Sequence, residues 1–531
     1  MQCTSTSIPY QQIGSFSKII VDYLNGSPEL EPFYQHPVSI EGIRQGIESR
    51  KQFNTDRKLL VEVLRDQYKD IDIPSALHAN IESLLEENTF SYVTAHQPNI
   101  FTGYLYFIYK ILHVIRLAEF SAKQFPEYKF VPVYYMGSED ADLEELGKVF
   151  MNGEKIVWET DQKGAVGRMR PKGLEKIITR IDGELSAYPF GKELISLLRE
   201  CYSASPDMQT ATLKLVNALF AEYGLVILIP DNAALKRSMH LVFEDDLLNQ
   251  TASNIVEQTI NTLSRRYKVQ ANPREINLFY LKDDIRDRIA KNAGEWKVVG
   301  HEIRFSQSEL KVELLDHPER FSPNVILRGL FQETILPNIA FIGGGGETAY
   351  WLELKDLFHY YKVPFPMLVL RNSFLFIEKK VHERIKKTRI DIPGLFREER
   401  LIIEDIVKRD TTVQVQLNDE ISEMINLYSR LKEVAGRTDI TLQKHVEALQ
   451  AHAVNQLREL EKKMMRAEKR KFEDQQRQVH AIKEKLFPRN ELQERVDNFM
   501  PYYAKFGKDF IRMLYENSPA LQQEFVVLAE D

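Results

Sequence analysis

Cysteine is nearly absent: the 531-residue chain holds only Cys3 and Cys201. They form no CxxC pair and no Cys/His cluster has zinc spacing, so two unrelated thiols are expected rather than a disulfide framework or a structural zinc site. Long apolar runs are also missing. Nothing reaches the roughly 18 residues that a membrane span needs. The opening stretch, MQCTSTSIPYQQIGSF, has neither the basic region nor the apolar core of a secretory signal, so the expected location is the cytoplasm, away from the membrane. Charge of one sign is scarce too. A net charge of −7 is small for this length and argues against a general nucleic-acid binder. Internal repeats and low-complexity tracts are not found. What is present is an ordinary globular composition, 43% hydrophobic and 28% charged, long enough for about two to four domains and for a core that needs no staple.

Residues 16–24, 40–53 and 56–68 carry apolar side chains at three- and four-residue spacing and read as a helical lead-in. The pattern then changes. Tyr92 to Thr94 is β-prone, residues 101–125 read as an apolar helix, and FVPVYYM at 130–136 is a second strand, which together make a βαβ unit. LVILIP at 225–230 is the kind of run that a buried parallel strand shows. A second βαβ unit runs from a strand at 339–342 through four glycines and a helix at 348–361 to a strand at 367–370. Residues 417–434 are helical, 436–439 form a break, and from Leu442 to Leu486 an apolar seam with a step near 3.5 predicts a coiled coil. The expected division is 1–150 core with the lead-in, 151–205 first insertion, 206–245 core, 246–325 second insertion, 326–395 core, 396–490 antiparallel helical coiled coil, and 491–531 a tail packing on the core.

Chemistry-bearing residues cluster in the loops after these strands, which in an open parallel sheet face one edge. In Thr94-Ala95-His96-Gln97-Pro98-Asn99-Ile100-Phe101-Thr102-Gly103, His96 and Gln97 are candidates for steadying negative charge, and Thr94 and Asn99 for substrate. A helix start at 99–103 would attract phosphate. Thr102 or Asn99 as a simple cap fits the same letters. In Ser138-Glu139-Asp140-Ala141-Asp142 the acids suit an ammonium group, Mg²⁺ or a general base, and Ser138 as a cap with acids in a first turn fits too. Gly343, Gly344, Gly345, Gly346 and Glu347 suit a phosphate, with no Gly-Lys-Ser/Thr and no clean dinucleotide spacing. A tight turn forced by helix–sheet packing explains them as well. Tyr350 and Trp351 follow on that helix. Arg328, Arg371 and Asn372 flank the unit as carboxylate or phosphate clamps, with surface ion pairs as the plain alternative.

TAHQPNIFTGYLYFIYK, VPVYYMGSEDADLEEL, SPNVILRGLFQETILPNIAFIGGGGETAYWLELK and LFPRNELQERV, in this order, resemble the cysteine ligase (BshC) family of bacillithiol biosynthesis over nearly the whole chain. The resemblance implies an α/β fold: a Rossmann-like core, similar to class I aminoacyl-tRNA synthetases, with two inserted regions and a C-terminal coiled coil that makes a homodimer. It implies joining L-cysteine to the amino group of glucosaminyl malate, the last step to bacillithiol. The family's usual Thr-Gly-Gln-Gln is here Thr94-Ala95-His96-Gln97, and its Glu-Asp-His-Asp is Glu139-Asp140-Ala141-Asp142.

An amide does not form readily from a free carboxylate, so the cysteine carboxyl must be activated as an adenylate or acyl phosphate. ATP and Mg²⁺ follow from that chemistry, and no metal-ligand set is assigned. The expected roles are His96, Gln97, Asp140 and Asp142 in catalysis; Thr94, Asn99, Ser138, Glu139, Arg328, Tyr350, Trp351, Arg371 and Asn372 on substrate; and Gly103 with Gly343–Glu347 on phosphate. The rivals are another synthetase-like amide ligase or nucleotidyltransferase, and a non-catalytic coiled-coil scaffold.

Overall fold

The computed structural model describes residues 2–292 and 294–531. They form two compact units. One holds residues 15–375 and 491–528 with the N-terminal stretch up to Gln11; the other holds residues 12–14, 376–490 and 529–531.

At the centre of the larger unit lie five parallel strands, β1 (Thr89–His96), β2 (Lys129–Met136), β3 (Val226–Leu228), β4 (Asn338–Gly343) and β5 (Met367–Leu370), in the spatial order β5-β4-β1-β2-β3. Both faces are covered, which is why the runs are apolar without alternation. The order reverses between β1 and β4, and a doubly wound sheet opens its ligand crevice beyond the carboxyl ends of its strands at such a switch point. Thr94 sits at this seam. Its Oγ1 donates to Ile342 O across 2.8 Å, so the residue ties β1 to β4.

The helix α1 (Tyr106–Gln124) joins β1 to β2 and is buried over most of its surface. It starts five residues later than the apolar periodicity predicts. Phe101, Thr102 and Gly103 have φ of 49°, 66° and 68°, which no helix allows. Tertiary contacts hold them there: Tyr202 OH accepts the Phe101 N–H at 2.9 Å, and Asn498 Nδ2 donates to Phe101 O at 2.9 Å. A Cβ on residue 103 would also stand 2.9 Å from Asn99 Cβ. Gly103→Ala is therefore expected to cost about 1–3 kcal/mol of stability. Urea unfolding followed by tryptophan fluorescence would measure it, because Trp158, Trp296 and Trp351 are all buried in this unit.

Two further helices frame the crevice, α2 (Val325–Ile335), capped by Asn324, and α3 (Gly345–Trp351). The single helix expected at 348–361 is two, the second spanning Lys355–Tyr361. Between them Glu353 turns away to accept the N–H groups of Gln270 and Ala271. Between β2 and β3 the chain forms a single-turn helix at Leu143–Leu146, a β-hairpin and three longer helices. Between β3 and β4 it forms helices and a five-stranded antiparallel sheet.

The smaller unit is helical. Here α4 (Asn418–Thr438) and α5 (Leu442–Lys469) fold back as an antiparallel hairpin within one chain, with Lys432 paired to Glu447 and the Leu417 N–H held by Glu461 at 3.0 Å. The helix runs through Gly436, and the turn falls at 439–441, where Asp439 accepts the Thr441 N–H. A short 3₁₀ turn at Arg470–Phe472 interrupts the long seam before α6 (Glu473–Leu486). Ile402, Ile403, Ile406, Val407 and Val479 form this unit's core. No helix among the described residues is long and apolar enough to cross a membrane.

Candidate active site

A cavity of about 450 Å³ opens at the switch point of the sheet, within the size range of small-molecule sites. His96 and Gln97 at the end of β1, Arg328 on α2, Gly344, Gly345, Gly346, Glu347, Tyr350 and Trp351 on α3, and Arg371 after β5 all line it. Two distant βαβ units thus supply one rim.

Each wall residue has a local reason for its place. His96 is buried, with its ring 5.5 Å from Tyr106 and 5.3 Å from Phe107 between centroids. Its Nε2 has no hydrogen-bond partner among the described residues. Burial first, then the nearby cations of Lys110 and Arg371, push its pKa well below the usual imidazole value, so the ring is neutral. This carries a pH prediction. The folded chain keeps His96 unprotonated while the unfolded chain takes up a proton below about pH 6.5. The unfolded state then binds more protons, and stability falls as pH drops from that value. His96→Asn is expected to lose less stability than the wild type between pH 7 and 5, by at most about 1.4 kcal/mol per pH unit, measured by urea unfolding at each pH.

Arg328 donates through Nη1 to Asp140 at 2.8 Å, and Arg286 reaches the same carboxylate at 3.4 Å. Burial works to raise the Asp140 pKa, but the two guanidiniums and a hydrogen bond from Gln97 outweigh it and hold the carboxyl below its ordinary value. Asp140 therefore stands behind Arg328 as a fixed anion. Gly137 leaves the path open, since a Cβ there would lie 3.2 Å from Arg328 Nη1. Arg371 is buried and donates through both terminal nitrogens to Glu494, at 2.7 and 3.0 Å. Its guanidinium lies over the Tyr106 ring, 5.0 Å from the centroid.

Other expected site residues lie elsewhere. Glu139 is buried in an ion pair with Lys236, which also reaches Asp231 at 3.2 Å. Asp142 is exposed and caps a short helix by accepting the Glu145 N–H at 3.0 Å. Ser138 is buried, and its carbonyl accepts the Gly167 N–H. Asn372 binds Ser518 Oγ and Pro519 O through Nδ2. Asn99, Gly103 and Thr94 shape the loop and the strand seam, and Gly343 fits tightly against Phe341. At the first expected helix start the chain turns left-handed at 101–103, whereas at the glycine loop a helix does start, at Gly345, and the Glu347 carboxylate itself accepts the Gly344 N–H at 2.8 Å.

The cavity's positive charge comes instead from side chains, including two that the sequence reading passed over. Lys110 lies on α1, 1% exposed, with Nζ 2.5 Å from Glu347 and 2.6 Å from Ala95 O. Burial, set against the Glu347 carboxylate, leaves its pKa lowered. Arg495 also lines the cavity, and Glu145 adds a carboxylate. A lone lysine in the apolar run FIYKILHVI was the available clue to Lys110. No group of three or more metal-binding side chains occurs among the described residues. Glu347, Asp140 and Glu139 are instead paired with lysine and arginine, which leaves Glu145 as a single carboxylate on the cavity wall and not a Mg²⁺ ligand set. The same cations suit a nucleotide phosphate or a carboxylate.

Comparison with known proteins agrees with this architecture. Residues 1–372 match the N-terminal Rossmann-like domain of bacillithiol biosynthesis BshC, and residues 374–530 match its C-terminal coiled-coil domain. Relatives from Flavobacterium psychrophilum and Flavobacterium johnsoniae are each 38% identical, over 98% of this chain and 98% and 99% of their own lengths. One from Christiangramia forsetii is 36% identical over 98% of both chains. All three carry the name "Putative cysteine ligase BshC". The chain belongs to the bacillithiol biosynthesis BshC family.

Proposed function

We propose that this cavity joins the carboxyl group of L-cysteine to the amino group of glucosaminyl malate, the last step to bacillithiol, with ATP as co-substrate in the cytoplasm. The observation that carries the reading is the convergence of Lys110, Arg328, Arg371 and Arg495 beside a neutral imidazole in one cavity. Such a set suits a reaction whose partners are rich in carboxylate and phosphate, and whose transition state gathers charge on an acyl oxygen. ATP supplies the activation of the cysteine carboxyl, as an adenylate or acyl phosphate, and Mg²⁺ would come with the nucleotide.

Arg371 and Arg495 are assigned the malate carboxylates. Arg328 and Lys110 face the activated carboxyl and the developing oxyanion. The neutral His96 ring offers Nε2 to a polar group of the bound substrates, and Glu145 or Glu347 binds the cysteine ammonium or takes the proton of the attacking amine. Cys3 and Cys201 take no part, because the thiol arrives with the substrate. Homodimerisation through the α4–α5 hairpin belongs to the same reading, supported by Leu431, Val434, Ile440, Leu442, Leu449 and Leu460, which are 40–68% exposed. Thiol profiling of a deletion strain tests the function. Loss of bacillithiol with build-up of glucosaminyl malate is expected, and an unchanged bacillithiol pool would sink the reading.

A further inference from the structure

Glu494 is fully buried, 123 residues from Arg371 in the chain, on the segment that follows the helical unit. A carboxylate taken out of water needs donors around both oxygens, and here all of them come from one place. Oε1 accepts from Arg371 Nη2 at 2.7 Å and Ser373 Oγ at 3.2 Å, while Oε2 accepts from Arg371 Nη1 at 3.0 Å and the Phe374 N–H at 3.3 Å. Both terminal nitrogens of Arg371 are thus committed. The remaining Nε edge lies on the Gly344 side of the cavity, 3.6 Å from where a Cβ on Gly344 would stand. The next residue, Arg495, meets the cavity directly. It is exposed, lines the cavity, lies 5.8 Å from the Phe16 ring centroid, and pairs with no carboxylate among the described residues. One dipeptide therefore puts a cation on the rim and a buried anion behind a second cation.

We infer that Glu494 is a positioning residue for Arg371, and that Arg495 contacts the same acidic part of the acceptor substrate, so that the 494–495 segment completes its carboxylate subsite. This rests on the ligase reading for the identity of the acceptor, though not for the presence of the subsite. A bidentate pair fixes the plane of a guanidinium as well as its place. Losing it costs binding of the group that the guanidinium meets rather than the chemistry at the distant amine.

The test uses the full-length protein and steady-state kinetics. In Glu494→Gln and Arg495→Ala the KM for glucosaminyl malate is expected to rise about tenfold or more, with kcat within about threefold and the KM for L-cysteine within about twofold. With methyl glucosaminide, an acceptor without carboxylates, wild type and both variants should react at equal rates. Arg495 is exposed, so its variant keeps the wild-type unfolding midpoint and stays informative if Glu494→Gln does not fold. Equal losses toward both acceptors, or unchanged KM values in Arg495→Ala, would overturn the inference. Titration calorimetry with L-malate separates this from the activity. Binding by the wild type and weakened binding by the variants would support the subsite even if no bacillithiol were formed. No L-malate binding by the wild type would overturn it.

Discussion

Arg328→Ala is expected to lower kcat/KM by about 10²–10³-fold, the loss seen when one preorganised donor is removed from an oxyanion site. The side chain reaches the cavity from α2, and its Nη1 is fixed 2.8 Å from Asp140. Burial works to depress the Arg328 pKa, but Asp140 outweighs it and holds the guanidinium charged. The substitution is also a clean one. Asp140 keeps Arg286 as a partner at 3.4 Å, so the charge left behind is still paired and the fold should survive. Steady-state kinetics with L-cysteine, glucosaminyl malate and ATP, alongside urea unfolding, would separate the two effects: a large drop in kcat/KM with a small change in stability. Arg328→Lys should recover little, because a point charge cannot meet Asp140 and an acyl oxygen with a planar fork.

The largest stability effect is expected away from the cavity, at Glu333. Arg50 and Glu333 have side chains 1% and 0% exposed and meet at 2.7 Å. Arg50 also donates to Asn338 O at 2.8 Å and Glu333 O at 2.7 Å, and Glu333 accepts from Gln332 and Asn338. This cluster ties the N-terminal helix Ile40–Lys51 to the end of α2 and the start of β4, which places both walls of the cavity. Burial pushes the Glu333 pKa up and Arg50 pulls it back, so each group tolerates burial only through the other. Glu333→Ala strands the Arg50 charge and is expected to cost about 3–5 kcal/mol, measured by urea unfolding with tryptophan fluorescence. Replacing both residues by apolar ones of similar size should cost less than the single change.

The sheet was readable because burial on both faces leaves continuous apolar runs, and all five expected core strands appear as parallel neighbours. The edge on which their loops open then follows from topology, and this is how His96, Gln97 and Arg371 could be grouped before any coordinates, with Arg328 read only as a cation flanking the second unit. Within those loops the letters carry less. Asp142 and Asp140 stand two residues apart in one acidic run, yet one caps a helix and the other anchors an arginine. Capping and chemistry draw on the same residue types, so local pattern cannot divide them. Lys110 was hidden for the opposite reason: a charged residue on an apolar helix reads as its solvent side, whereas here it enters the cavity. Glu494 was out of reach, because its partner lies on the far side of a whole helical unit in sequence. The start of α1 was misplaced because apolar spacing continues through 101–105 while Tyr202 and Asn498 hold the backbone in a left-handed turn.

The most direct test of the central claim is a single incubation. Purified protein is mixed with L-cysteine, glucosaminyl malate and ATP, Arg328→Ala is run in parallel, and products are read by mass spectrometry. The account predicts bacillithiol from the wild type, dependent on ATP, and at least about a hundredfold less from the variant. No bacillithiol from folded wild-type protein, under conditions where a BshC relative makes it, would contradict the account.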